Sequence, residues 1–75
     1  MDGQLQRNLG TNLRRWRIER QLSQEALADV LAVHRTYMGG LERGERNLTL
    51  RSVEQIAETL HLDPLELLRD PSLTD

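Results

Sequence analysis

The sequence predicts an all-α domain of five helices, two of which form a helix-turn-helix. Apolar residues recur at steps of three and four along most of the 75 residues, which is the spacing of a helix face. No segment shows the strict alternation of apolar and polar residues that is typical of a strand. Capping residues and glycines divide these stripes into helix-sized pieces, and the pair of short helices within residues 23–44 organises the rest.

The first predicted helix covers about Gln6 to Arg20. Its apolar stripe has steps of four, four and three and consists of Leu5, Leu9, Leu13 and Trp16. Because Trp16 lies on this stripe, it is predicted to anchor the core rather than to stack on a nucleic-acid base. Gly10 falls inside the helix and costs about 1 kcal/mol relative to Ala. Residues 1–4 carry no pattern and are expected to be disordered.

The helix-turn-helix is predicted between Ser23 and Gly44. Ser23 can cap a helix over Gln24 to Leu31, because its hydroxyl can accept a backbone N–H of the first turn. A turn follows at residues 32–34, and a second helix covers about Arg35 to Arg43. Gly44 suits the left-handed position after a helix end. Two helices joined by a turn of three or four residues are what a DNA-reading helix-turn-helix requires.

The second helix of this pair begins and continues with unusual residues. His34 would be its N-cap, where Ser or Thr would serve better. Gly39 and Gly40 are predicted to face mostly outward, and two glycines inside a helix cost roughly 1 kcal/mol each relative to Ala. We expect that cost to be offset by tertiary packing or by a close approach of the backbone to a partner.

The last two predicted helices carry many leucines. Thr49 can cap a helix at about Leu50 to Leu60 with one apolar side, and Asp63, Pro64 and Glu66 provide the cap, first residue and capping box of a short fifth helix. We predict a homodimer interface formed by some of Leu60, Leu62, Leu65, Leu67 and Leu68. The alternative is that these leucines only close the core of the monomer. Residues 70–75 are predicted to be a polar tail.

The distribution of charge favours a polyanionic partner, although the net charge of −2 does not. Residues 1–51 sum to +3 and residues 52–75 to −5, and every basic residue is Arg. Arg suits phosphates and guanine edges, although a GC-rich genome would also favour Arg over Lys. Cysteine is absent and the two histidines are isolated, so we expect no metal site. No nucleophile–base pair and no phosphate-binding loop is visible in the sequence, so we expect no cofactor and no enzymatic activity. No signal peptide or membrane span is visible, so a cytoplasmic protein is expected.

Several segments resemble the Xre family of lambda-repressor-like domains, which includes phage repressors and controller proteins of restriction–modification systems. The matching segments are residues 13–17, 22–28, 35–38, 41–44 and 56–57. The resemblance covers about residues 5–68, nearly the whole chain, and implies a domain over residues 5–69. It implies a five-helix lambda-repressor-like fold that binds operator DNA, usually as a homodimer, in a bacterial cytoplasm and on the nucleoid when bound.

Carried over by position, the resemblance implies a set of DNA contacts. The residues that would face base edges are His34, Arg35, Thr36 and Gly40. The residues that would contact the DNA backbone are Ser23, Gln24, Tyr37, Arg43, Arg46 and Asn47, with Gln24 also bracing the start of the second helix of the pair. Arg17 and Glu42 match a pair that often forms an internal salt bridge; the alternative is two solvated surface charges.

Departures from the family pattern concern specificity more than fold. Ala32 stands where glycine is common in the turn, Leu48 stands where proline is frequent, and Gly39 and Gly40 replace residues that are usually polar. The predicted function is therefore sequence-specific binding of double-stranded DNA by a small transcriptional regulator, with no small-molecule ligand and no membrane partner. The alternative is a protein-interaction module of the same fold, such as an antitoxin or an adaptor.

Overall fold

A computed structural model of the protein describes residues 3–73, and within that range the chain is all-α, as predicted. The five helices are α1 (Gln4–Glu19), α2 (Gln24–Leu31), α3 (Arg35–Glu42), α4 (Leu50–Leu60) and α5 (Pro64–Leu68), and a 3-10 turn follows at Pro71–Leu73. Helix α1 packs against α3 and α5, α2 packs on α3, and α4 packs on α5 and α2. No helix in this range is long and apolar enough to cross a membrane.

The caps of α2 and α4 form as predicted, and both helices have the predicted bounds. The Ser23 hydroxyl accepts the backbone N–H of Ala26 at 3.0 Å, and the Thr49 hydroxyl accepts that of Ser52 at 3.0 Å. Helix α5 begins with the predicted capping box of Asp63 and Glu66. Each cap satisfies an N–H that the first turn of a helix leaves without an intrahelical partner.

The N-terminal prediction is wrong where the structure describes it. Gly3 is the N-cap of α1 with φ +82°, and Gln4 is its first helical residue, so these two are ordered. The carbonyl of Gly3 accepts the N–H of Arg7 at 3.1 Å, and the Gln4 side chain donates to Asn8 at 2.8 Å. These contacts extend the helix by two residues beyond the predicted start. Residues 1–2 lie outside the described range.

The predicted polar tail contains a structured turn. Pro71–Leu73 forms a 3-10 turn that packs on α1, and the backbone N–H and hydroxyl of Ser72 donate to Asp70 at 2.9 and 2.7 Å. The hydroxyl hydrogen bond, followed by the backbone one, lowers the pKa of Asp70 below its ordinary value. Residues 74–75 of the predicted tail lie outside the described range.

The core forms where the apolar stripes of the helices meet. Its buried members are Leu9, Leu13, Leu27, Ala28, Met38, Leu41, Val53, Ile56, Ala57, Leu60 and Leu67. Trp16 is half-buried against this cluster, which confirms its predicted role as a core residue, and the Arg20 guanidinium lies 3.9 Å from the centroid of its ring. Leu5 and Leu50, predicted on buried faces, are 46% and 78% exposed. Both lie at helix starts and line an open apolar groove over the core residues Leu9 and Val53.

Candidate nucleic-acid interface

Helix α3 begins with a side-chain cap that leaves its first residues exposed. His34 has the extended backbone of an N-cap, and its Nδ1 accepts the backbone N–H of Thr36 at 3.0 Å. Since Nδ1 acts as an acceptor, the ring proton lies on Nε2, and His34 presents a donor to its surroundings. Arg35 and Thr36 follow on the exposed surface of the first turn. Three of the predicted base-reading residues therefore lie together on one exposed turn.

A groove separates this turn from the start of α2. It is lined by Ser23, Gln24, Glu25, Arg35, Thr36, Gly39 and Arg43. The Arg35 guanidinium lies 3.7 Å from the Glu25 carboxylate, and both side chains are about 70% exposed. An ion pair this exposed contributes little to stability, so Arg35 can exchange Glu25 for another acceptor at small cost.

A buried ion pair joins α1 to the end of α3. Arg17 donates to the two carboxylate oxygens of Glu42 at 2.7 and 3.1 Å and to the Leu22 carbonyl at 2.9 Å. Only 3% of the Glu42 side chain and 14% of the Arg17 side chain are exposed. The hydrogen bond to Glu42 raises the pKa of the Arg17 guanidinium above its ordinary value, so Arg17 stays charged. The structure thus pairs Arg17 with Glu42 in the interior, where the alternative of two solvated charges does not hold.

Gln24 completes this arrangement in a way that differs from the prediction. Its amide donates to Glu42 at 3.0 Å, so Gln24 braces the end of α3 rather than its start. The reason is geometric: the start of α2 passes beside the last turn of α3, where Glu42 is already held by Arg17. Arg17, Gln24 and Glu42 are called the ion-pair junction below.

The structure also contradicts the outward placement of Gly39 and Gly40, since both are buried. A Cβ at Gly39 would lie 3.0 Å from Nη1 of Arg43, and one at Gly40 would lie 2.7 Å from Nε of Arg46. The two arginines fold back over α3 and cover its glycines. Gly40 is therefore covered by the Arg46 side chain. Tertiary packing offsets the helix-propensity cost of both glycines.

The loop after α3 holds the remaining predicted DNA-backbone residues. Arg43 pairs with Glu45 at 3.1 Å, the Arg46 guanidinium lies 5.1 Å from the centroid of the Tyr37 ring, and Asn47 accepts a hydrogen bond from Gln6 at 3.3 Å. Gly44 has φ +74° and lies against Arg7, where a Cβ would come within 2.9 Å of the Arg7 Cα. Gly44 thus sets the path of this basic loop.

Two asparagines on α1 form a polar contact with the end of α5 that the sequence analysis missed. Asn8 donates to the Leu68 carbonyl at 3.1 Å, and Asn12 donates to the carbonyls of Leu67 at 2.8 Å and Arg69 at 2.9 Å. Asn8 is buried. These contacts are called the amide junction below. A signal existed, because Asn8 and Asn12 have the i, i+4 spacing of one helix face and lie beside the apolar stripe.

The predicted dimer leucines fall into two groups. Leu60 and Leu67 are 5% and 1% exposed and close the monomer core, so their assignment to an interface is wrong. Both are held inward by the packing of α4 on α5 and of α5 on α1. Leu65 is 70% exposed, and Leu62 and Leu68 are half-buried. Only these three remain available for contact with a second chain.

Two short helices joined by a tight turn, with an exposed basic first turn on the second helix, define a helix-turn-helix protein. Ala32 makes the turn in a left-handed conformation with φ +58°, at the position where glycine is common. No group of three metal-ligating side chains occurs among residues 3–73.

Comparison with known proteins identifies the family. The profile of a helix-turn-helix domain matches residues 8–69. The chain is 43% identical over 60 residues to control protein C.SmaI of Serratia marcescens, over 80% of this chain and 71% of that protein. It is 40% identical over 60 residues to control protein C.BamHI of Bacillus amyloliquefaciens, over 79% of this chain and 74% of that protein.

Two solved structures are similar in fold as well as sequence. The restriction-modification controller protein C.AhdI from Aeromonas hydrophila has a TM-score of 0.71 at 40% identity, over 83% of this chain and 94% of that one. The hypothetical transcription factor NHTF from Neisseria has a TM-score of 0.80 at 34% identity, over 96% and 84%. The chain belongs to the Xre-type helix-turn-helix family, whose members are DNA-binding transcriptional regulators and not enzymes.

Proposed function

We propose that this regulator binds a specific operator with α3 in the major groove. The observation that carries the proposal is the exposed first turn of α3, where Arg35 and Thr36 stand clear of the surface beside the start of α2. Arg35 can donate two hydrogen bonds to guanine O6 and N7, and Thr36 can contact a thymine methyl or a phosphate. His34 adds its Nε2 donor to the same turn.

Phosphate contacts would come from the residues around this turn. They are Ser23, Gln24, Tyr37, Arg43, Arg46 and Asn47. Arginines that neutralise phosphates release counterions, so binding should weaken steeply as salt rises. Gly40 is predicted from the resemblance to face a base edge, but the Arg46 side chain covers it, so we do not propose a base contact for Gly40.

The test is a substitution of Arg35 measured on two duplexes. We expect Arg35→Ala to weaken binding to a site selected in vitro from random DNA by about 1–3 kcal/mol while leaving random duplex almost unaffected. Arg69→Ala is the matched control, because it removes the same charge from the acidic half of the chain and should change neither. An equal loss on both duplexes would make Arg35 a phosphate contact instead.

We also propose that the regulator acts as a homodimer on a pseudo-palindromic operator. Two copies of α3 would then reach half-sites about one helical turn apart. The support is Leu65, which is 70% exposed on α5 next to the half-buried Leu62 and Leu68. An exposed large apolar side chain beside partly exposed neighbours favours contact with another protein surface.

Sedimentation tests the dimer. Leu65→Asp should convert a dimer at micromolar concentration into a monomer, because a charge would be buried in an apolar contact. Ile18→Asp is the control, since Ile18 is 51% exposed on α1, outside the α5 segment. A wild-type monomer at that concentration, or equal effects of the two variants, would contradict the assignment.

The names of the similar proteins indicate which genes this regulator controls. C.SmaI and C.BamHI are named control proteins, and C.AhdI is described as a restriction-modification controller. We extend that role to this chain and propose that its operator lies near restriction–modification genes. In vitro selection of bound DNA would identify the operator sequence, and a search of the source genome with it would test this placement.

A further inference from the structure

The side chain of Arg46 occupies the space beside Gly40 where another residue would place its Cβ. A Cβ at Gly40 would lie 2.7 Å from Nε, 3.3 Å from Cγ and 3.4 Å from Cδ of Arg46. Three atoms along the Arg46 side chain therefore surround the position that a Cβ of residue 40 would take. Only glycine leaves this space open, because any other residue would place its Cβ inside the volume that Arg46 occupies.

The ring of Tyr37 also lies against the Arg46 side chain. It lies one turn before Gly40 on α3, and residues three apart share a helix face. The Arg46 guanidinium is 5.1 Å from the centroid of the Tyr37 ring, within the range of a cation–π contact. Tyr37 and Gly40 thus form a seat that holds Arg46 in one orientation.

Arg46 differs from its basic neighbours in its partners. Arg43 pairs with Glu45 at 3.1 Å and Arg35 lies 3.7 Å from Glu25. Across residues 3–73, no carboxylate lies within ion-pair distance of Arg46, although the side chain is exposed. An ordered cation without a carboxylate partner is suited to an external anion such as a phosphate.

We propose that Gly40 is a positioning residue for DNA binding: by leaving out a side chain, it seats Arg46 against Tyr37 and pre-orders its guanidinium for a backbone phosphate. The inference rests on the proposed DNA-binding function. An arginine that is already ordered loses less conformational entropy when it binds, so the seat increases affinity without touching the DNA itself. Gly40 thereby acts on affinity for all sequences and not on base specificity.

The test is Gly40→Ala, which adds one methyl group to the seat. The folded state should tolerate it, because the added methyl group meets only side-chain atoms of the exposed Arg46, which can adopt another rotamer, and Ala is the better helix former. We expect a melting temperature at or above that of the wild type. DNA affinity should nevertheless fall roughly three- to tenfold on operator and random duplex alike, with a shallower salt dependence, by up to about 0.9 in slope.

A double-mutant cycle assigns the loss to Arg46. Gly40→Ala should cause no further loss of affinity in an Arg46→Ala background, because the side chain that it displaces is already gone. Gly39→Ala is the matched control, since a Cβ there meets only the guanidinium of Arg43. Its effect on DNA affinity should add independently to that of Arg46→Ala.

Nuclear magnetic resonance follows the seat without DNA. Contacts between the Arg46 side chain and the Tyr37 ring should be present in the wild type and in Gly39→Ala and absent in Gly40→Ala. Unchanged contacts or unchanged DNA affinity in Gly40→Ala would overturn the inference, as would an equal loss in the Arg46→Ala background. Failure of the wild type to bind any duplex would instead overturn the proposed function, which separates the two failures.

Discussion

Helix α1 holds the helix-turn-helix on one side and α5 on another, and the two junctions use different chemistry. The ion-pair junction buries a charged pair, Arg17 with Glu42, and adds the Gln24 amide. The amide junction uses neutral side chains, Asn8 and Asn12, which donate to carbonyls at the end of α5. The first therefore depends on two charges compensating each other, and the second depends on neutral hydrogen bonds.

The difference reflects what each junction must hold. Two long side chains, Arg17 from α1 and Gln24 from α2, meet at the Glu42 carboxylate and fix α3 relative to both helices, so the exposed first turn of α3 has a defined direction. Helix α5 has only five residues and cannot pair its own last carbonyls. The asparagines of α1 satisfy these carbonyls and dock the short helix, which is too short to be stable alone.

Breaking the ion-pair junction should have the largest effect. Glu42→Ala leaves the Arg17 guanidinium without its carboxylate, and we expect a loss of about 3–5 kcal/mol in the free energy of unfolding. Urea unfolding measures it, with Glu54→Ala on the exposed surface of α4 as the control. A loss below 1 kcal/mol would show that the pair contributes no more than a surface ion pair.

Separating α1 from α3 without touching a charge should have the next largest effect. A Cβ at Gly10 would lie 2.5 Å from the Leu41 carbonyl oxygen and 2.6 Å from that of Glu42. Because these are backbone atoms, Gly10→Ala must push the two helices apart, at a cost of about 1–3 kcal/mol. Thermal unfolding checks the result against Gly39→Ala, which meets only a flexible side chain. A more stable Gly10→Ala variant would contradict this close contact.

Weakening the amide junction at Asn12 should have the smallest effect of the three. Asn12→Ala leaves the carbonyls of Leu67 and Arg69 without their donor, and we expect a cost of about 1–2 kcal/mol, since water can reach part of this site. Hydrogen exchange should then accelerate in α5 before it accelerates in α3. Gln55→Ala on α4 is the control. Equal acceleration in both helices would show that the two junctions are not independent.

The two junctions also differ in how far the sequence predicts them. Only the resemblance to a known family predicts the pair of Arg17 with Glu42, and it places Gln24 at the start of α3, whereas the structure places Gln24 at the end of that helix. The amide junction joins residues more than 50 positions apart, with no local pattern to pair them. Likewise, the spacing of apolar residues in α4 and α5 places Leu60 and Leu67 on an apolar face. It does not show whether that face packs on the core or on a second chain.

Local chemistry determined where α2, α4 and α5 begin. The caps by Ser23 and Thr49 and the capping box of Asp63 and Glu66 act within four residues, so the composition of each segment decides where its helix begins. Only the tertiary structure decided the role of Gly40. Its burial depends on Arg46 folding back from the loop after α3 onto the Tyr37 ring, and that return path is set by the close packing of Gly44 on α1, a contact between distant parts of the chain.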